Sequence, residues 1–123
     1  MQLRTGIDLI EIDRIERAIG QWSGRFLERV FTEGEIADSG GRSESLAGRF
    51  AAKEAVSKAL GLGMRTLRWR DIEVVRGPHG QPQIRLNGTA AAAAEDLGLC
   101  GFELSISHSR TEAIAVVIAW GEP

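Results

Sequence analysis

The chain holds two lysines, Lys53 and Lys58, five residues apart in the segment Phe50–Gly61, FAAKEAVSKALG. The other thirteen basic residues are arginines. Glu54 stands between the lysines. A lysine ammonium is a compact point charge that reaches a phosphate, whereas a guanidinium is a planar fork. A carboxylate is a hard oxygen ligand of the kind Mg²⁺ takes. One carboxylate and one lysine on a helix beside a phosphoester make a site for phosphoryl-type transfer. The same spacing also makes an ordinary ion pair: Glu54 and Lys58 are four apart in the favourable order, worth about 0.2–0.5 kcal/mol.

Other residues could join such a site. Asp8 sits in TGIDLIEI between apolar neighbours. Aspartate is a poor strand former, and burial without a partner is costly. It is therefore either a solvent-facing or edge position, or a metal ligand held on a rigid strand. Arg49 and Lys53 are four apart, a like-charge pair that costs a few tenths of a kcal/mol unless an anion is present, roughly as in model helices. His108 ends the run Phe102–His108, where alternation places it with Phe102, Leu104 and Ile106 and puts Ser105, Ser107 and Ser109 on the other face. A histidine on an apolar face is commonly a satisfied core or edge residue. Arg14, Arg17, Arg25 and Arg29 are interleaved with as many acids, which makes either a mixed solvated surface or a dock for an acidic partner.

The elements that must position these residues follow from periodicity. Leu3–Ile12 reads as a strand, and Asp13–Ile19 as a helix with Asp13 at its N-cap. Arg25–Val30 is a second helical piece. Thr32-Glu33-Gly34-Glu35 is a capping-box pattern that starts a third. Asp38–Ser45 reads as a polar loop, and Ser43 or Ser45 as the cap of a long helix running to about Leu60. Leu46, Phe50, Val56, Ala59 and Leu60 form its inner side, and Gly61 and Gly63 end it. Trp69–Arg76 and Gln83–Leu86 read as a hairpin around Gly77–Pro82, with His79 exposed. Thr89–Leu97 is an alanine-rich helix, followed by strands Phe102–Ser107 and Glu112–Trp120. The pattern predicts an α+β fold, with one long helix packed on a largely antiparallel sheet.

The bulk numbers narrow the class. A chain of 123 residues fits one domain spanning 1–123. A net charge of −2 gives no global attraction to nucleic acid. The longest apolar run, Ala113–Trp120, is too short to span a membrane. The N-terminal MQLRTGIDLIE lacks the apolar stretch of a signal peptide. The single cysteine, Cys100, allows no internal disulfide; it suits a reducing cytosol and reads as a small buried hydrophobe.

Taken together, GIDLIEIDRI, RFLERVFTEGE, LAGRFAAKEAVSKALG, GQP and SISHS, in this order and at these separations, resemble the holo-[acyl-carrier-protein] synthases, the small stand-alone class of 4′-phosphopantetheinyl transferase. Asp38–Ser43 and Leu62–Trp69 depart most from the family's pattern. The resemblance implies transfer of the phosphopantetheine arm of coenzyme A to a serine of an apo-acyl carrier protein, with release of 3′,5′-ADP, in fatty acid biosynthesis in the cytoplasm. It implies Asp8, Glu54 and Lys58 as catalytic residues and Mg²⁺ held by Asp8 and Glu54. Either Glu54 or a water on the metal would accept the serine proton. Coenzyme A would meet Arg49, Lys53, Lys58, Gly61, Gly80, Pro82, Ser107 and His108, in a cleft between subunits of a homotrimer. The carrier's acidic helix would dock on Arg14, Arg17, Arg25 and Arg29. The alternative is a coenzyme A or nucleotide-binding module of the same fold without catalysis.

Overall fold

A computed structural model describes residues 1–22 and 24–122. Strand β1 (Gln2–Glu11) runs directly into helix α1 (Ile12–Trp22). The short helices α2 (Gly24–Val30) and α3 (Glu33–Ser39) precede the long helix α4 (Ser43–Leu60). A 3-10 turn (Trp69–Asp71) opens the hairpin β2 (Ile72–Arg76) and β3 (Pro82–Leu86); α5 (Gly88–Asp96), β4 (Leu99–His108) and β5 (Glu112–Gly121) follow. The strands form an antiparallel sheet ordered β1-β5-β4 and a separate antiparallel pair, β2-β3. The fold is α+β, as the pattern of elements predicts. Among the described residues no helix is long and apolar enough to cross a membrane.

Helix α4 is the centre of the molecule. Ala47, Ala51, Ala52, Ala55 and Ala59 are all fully buried, so the helix is enclosed on nearly every side and not on one inner face alone. Small side chains make this possible, because neighbouring elements approach the helix backbone closely. The tightest approach is at Gly6 of β1, where a Cβ would stand 1.8 Å from the carbonyl oxygen of Ala55. Real atoms do not meet at that distance, so only glycine lets β1 cross α4 here. This crossing brings the next inward residue of β1, Asp8, beside the middle of α4.

The sheet shows strict alternation. Ala113, Ala115, Val117 and Ala119 of β5 are buried against α4, whereas Ile114, Val116 and Ile118 are exposed. On β1, Leu3, Ile7 and Leu9 are exposed beside them, with Ile7 opposite Val116 and Leu9 opposite Ile114. The outer face of the sheet is thus apolar along β1 and β5, bordered by Glu103, Ser105 and Ser107 of β4.

Several local expectations are corrected. The capping box at Thr32 and Glu35 is present, but α3 continues to Ser39, so the polar loop shrinks to Gly40, Gly41 and Arg42. The N-cap position of α4 is Arg42 without a side-chain cap; Ser45 instead accepts a hydrogen bond from Arg49. Asp13 lies inside the first turn of α1 and pairs with Arg17 at 3.2 Å, because the chain passes from strand to helix without a cap residue. Trp69–Asp71 is a turn, not the start of a strand. Cys100 is exposed, since it points outward beside buried Leu99 where the β4–β5 register shifts.

Candidate active site

The Gly6 crossing builds the first cluster. Asp8 lies on the inward face of β1 between Gly6 and Ile10, and its side chain is 18% exposed. It is not a solvent-edge residue. Lys58, one turn beyond Glu54 on α4, donates from Nζ to the Ile7 carbonyl at 2.7 Å and to Asp8 Oδ1 at 3.3 Å. The ion pair that forms is therefore Lys58–Asp8 across the two elements; among the described residues Glu54 and Lys58 form none. Glu54 is half-buried, and its carboxyl is pushed above the ordinary carboxylate range, first by burial and second by the charge of Asp8. Lys58 and then Arg14 pull it the other way. Asp8 thus lies near enough for its charge to act on Glu54 with incomplete compensation, an arrangement that favours an added cation. Among the described residues no third histidine, cysteine or acid joins them.

A second cluster lies elsewhere around α4. Arg49 precedes Glu54 by five residues, which places the two about 140° apart around a helix of 3.6 residues per turn. Arg49 is buried; its Nη1 donates to the Ser45 hydroxyl and, at 3.4 Å, to the Ser45 carbonyl, while its Nε is buried with no partner. Burial pushes the guanidinium's pKa down, opposed by Glu35 and Asp38. A groove of about 210 Å³ beside it is lined by Gly80 from the β2–β3 turn and Pro82 at the start of β3, with Arg76 and Ile106. An adjoining hollow of about 220 Å³ adds Arg42, Gly48 and His108. Gly48 keeps this floor open, since a Cβ there would stand 2.8 Å from Ile106 Cγ2. His108 is exposed at the end of β4 and is not a core histidine. A guanidinium with one unpartnered N–H, beside a histidine in an open groove, is suited to an anion.

Three expected ligand residues fall outside both clusters. Lys53 has no exposed surface: its ammonium donates to Glu35 Oε1 at 2.7 Å, to the Trp69 carbonyl at 3.1 Å and to the Ile72 carbonyl. All three protons are used, so Lys53 has no N–H left to offer a phosphate. Gly61 closes α4 with φ 72°, its N–H on the carbonyls of Lys58 and Ser57, and its nearest side chain is Arg4. Its glycine serves a left-handed cap. Ser107 pairs with Ile114 on the outer face of the sheet, opposite in direction to His108. The arginines of the expected dock are all exposed: Arg14 and Arg17 on α1, Arg25 and Arg29 on α2. Arg14 is close enough to Glu54 to lower its pKa, so the dock borders the first cluster.

The fold and these clusters coincide with a family assignment. Residues 4–116 match the model of the 4′-phosphopantetheinyl transferase superfamily, and the chain belongs to that family. Within it, the chain is 45% identical to the holo-[acyl-carrier-protein] synthase of Herpetosiphon aurantiacus, over 97% of this chain and 99% of that protein. It is 48% identical to that of Gloeobacter violaceus, over 96% and 92% of the two chains. The crystal structure of the Helicobacter pylori holo-[acyl-carrier-protein] synthase in complex with coenzyme A superposes with a TM-score of 0.86 at 37% identity, over 94% of this chain and 99% of that one.

Proposed function

We propose that this single-domain chain transfers the 4′-phosphopantetheine group of coenzyme A to a serine of an apo-acyl carrier protein, releasing 3′,5′-ADP. The observation that carries this is the meeting of Asp8, Glu54 and Lys58 at the Gly6 crossing. The serine oxygen attacks the phosphorus that bears the pantetheine arm. The bond from that phosphorus to the bridging oxygen breaks, and its electron pair leaves on 3′,5′-ADP. Lys58, more than half exposed and holding only Asp8 and one carbonyl, extends its remaining proton to the pyrophosphate. Glu54 is the carboxylate placed to take the serine proton.

The first cluster fits Mg²⁺. Two carboxylates with oxygen positions left for water and substrate phosphate are the usual protein share of its coordination. Asp8 and Glu54 would hold it, and the ion would supply charge neutralisation at the pyrophosphate. Arg49, His108, Gly80 and Pro82 take the phosphate and adenine end of coenzyme A. The two clusters lie on different sides of α4, so a cleft shared between neighbouring subunits lets one ligand use one cluster from each. Ser107, on the outer face of the sheet, reaches such a cleft from the subunit boundary.

The enzyme is a homotrimer in this reading. The apolar outer face of Leu3, Ile7, Leu9, Ile114, Val116 and Ile118 supports it, because contiguous exposed apolar surface of this kind marks an interface. The carrier docks its acidic helix on Arg14, Arg17, Arg25 and Arg29, with Arg14 beside Glu54. The setting is fatty acid biosynthesis in the cytoplasm. The test is incubation with coenzyme A, Mg²⁺ and an apo-carrier protein, read by mass spectrometry. The carrier should gain the mass of one phosphopantetheine with Mg²⁺ and stay unmodified in EDTA; an unmodified carrier at full Mg²⁺ refutes the proposal.

A further inference from the structure

We infer that an arginine-lined hollow between α2 and the segment 64–71 is a second anchor for the acidic carrier protein; the identity of the partner rests on the function proposed above. The hollow has a volume of about 530 Å³ and is lined by Arg29, Arg65, Arg68 and Arg70. All four are exposed, and among the described residues none lies within 4.0 Å of a carboxylate. Acids outnumber bases in the chain as a whole, 17 to 15, yet here four guanidiniums meet two acids, Glu28 and Asp71. Asp71 is already committed: its Oδ2 accepts from the N–H and the hydroxyl of Thr89, both at 2.8 Å. Like charges gathered in one concavity raise the local concentration of an anionic partner.

The geometry selects a protein over a small anion. The hollow is far larger than one phosphate, and its arginines are long, exposed side chains without a buried polar group aimed between them. Half-buried Met64 and Trp69 add apolar lining among the charges. That combination suits an acidic amphipathic helix carrying an apolar side chain between its carboxylates. The hollow is also continuous with the proposed dock. Arg29 belongs to both, and the ring of Trp69 stacks on Phe50 at 4.8 Å, which stacks on Phe26 of α2 at 6.3 Å.

The test is the full chain with R65E/R68E/R70E, and with R65Q/R68Q/R70Q as a milder second variant. Neither touches the catalytic residues or the arginines of α1 and α2. The charge reversal should raise KM for apo-carrier protein about tenfold or more, and the neutral variant less. KM for coenzyme A and kcat should stay within about twofold of wild type, since uniform binding of the carrier is what is lost. A fluorescence-anisotropy titration of labelled apo-carrier should show the same weakening without turnover. If the wild type binds the carrier but does not modify it, the function above fails while a difference in binding upholds the anchor. Unchanged carrier affinity in a charge-reversed protein with wild-type thermal unfolding overturns the anchor. So does a rise confined to KM for coenzyme A, which would assign the hollow to the nucleotide.

Discussion

Lys53 and Lys58 stand on the same helix, yet one ammonium is sealed between α3, α4 and β2 while the other stands half in solvent against β1. Lys53 spends its protons on Glu35 and two carbonyls, and the ring of Phe31 lies 5.7 Å from its nitrogen. Glu35 in turn accepts from Thr32 N and Val74 N, so this one pair fastens α3, α4 and the β2–β3 hairpin together. Burial pushes the Lys53 pKa down, and Glu35 holds it up. Lys58 pairs with Asp8 at 3.3 Å and keeps solvent access. The difference teaches that side-chain type does not decide between structure and chemistry. What decides is whether the fold consumes the donors or leaves one free for a ligand.

The largest effect should come from the exposed end of this comparison. Asp8→Ala and Glu54→Ala should each abolish carrier modification, with circular dichroism unchanged, because each removes one of two carboxylates from the cluster. Full activity in either variant would remove that cluster from the mechanism.

The second contrast separates the lysines themselves. Lys53→Ala leaves Glu35 charged and buried, and should cost about 3–5 kcal/mol in chemical denaturation. That is a large share of a domain stability of roughly 5–15 kcal/mol. Lys58→Ala should cost less than about 1 kcal/mol, since it breaks a largely exposed pair, yet should lower kcat roughly 100-fold. Equal losses of stability in the two variants would erase the distinction drawn here.

Much of this was legible in the sequence, but unevenly. The apolar run Ala113–Trp120 marked the β5 strand, and Thr32 with Glu35 announced the start of α3. Asp8, Glu54 and Lys58 stood out by residue type, and the roles proposed for them came from the family resemblance. Lys53 was misread because local spacing shows only its like-charged neighbour Arg49; the enclosure of α4 on all sides is a tertiary fact. The end of α4 was legible too, since Gly61 is the left-handed cap that a glycine after a helix announces. One further signal was not drawn on: a glycine inside a strand marks close backbone approach, which is the role of Gly6. Ser107 and His108, adjacent on a strand, could not share one face of the same chain.

The dock tests whether charge near Glu54 acts on the partner or on the nucleotide. Arg14→Glu sets like charge against an acidic helix. It should raise KM for the carrier about tenfold and leave KM for coenzyme A nearly unchanged. Wild-type affinity for the carrier should weaken with added salt, because exposed charges are screened over roughly 8 Å at physiological ionic strength. A fall in coenzyme A affinity with carrier KM unchanged would move Arg14 into the nucleotide site.

The smallest effect concerns Glu54 in the metal-free protein, and its sign is fixed. Burial and the charge of Asp8 hold its folded pKa above the ordinary carboxylate range, while the unfolded chain returns to that range. Below the ordinary range both states carry the proton, and Glu54 imposes no penalty. As pH rises, the unfolded state releases its proton first, so folding stability declines until the folded carboxyl has ionised as well. At neutral pH the charged Glu54 therefore destabilises the fold slightly. Glu54→Gln removes that charge with little change of shape, so it should raise Tm modestly at neutral pH, with the gain fading as pH is lowered below the carboxylate range. Lys53 offers the opposite control, since Lys53→Ala should lower Tm at neutral pH. Mg²⁺ should raise the Tm of wild type more than that of Glu54→Gln, because a ligand stabilises the state that binds it. A Glu54→Gln protein less stable than wild type at neutral pH without metal would show that the Asp8–Glu54 site is satisfied without a cation.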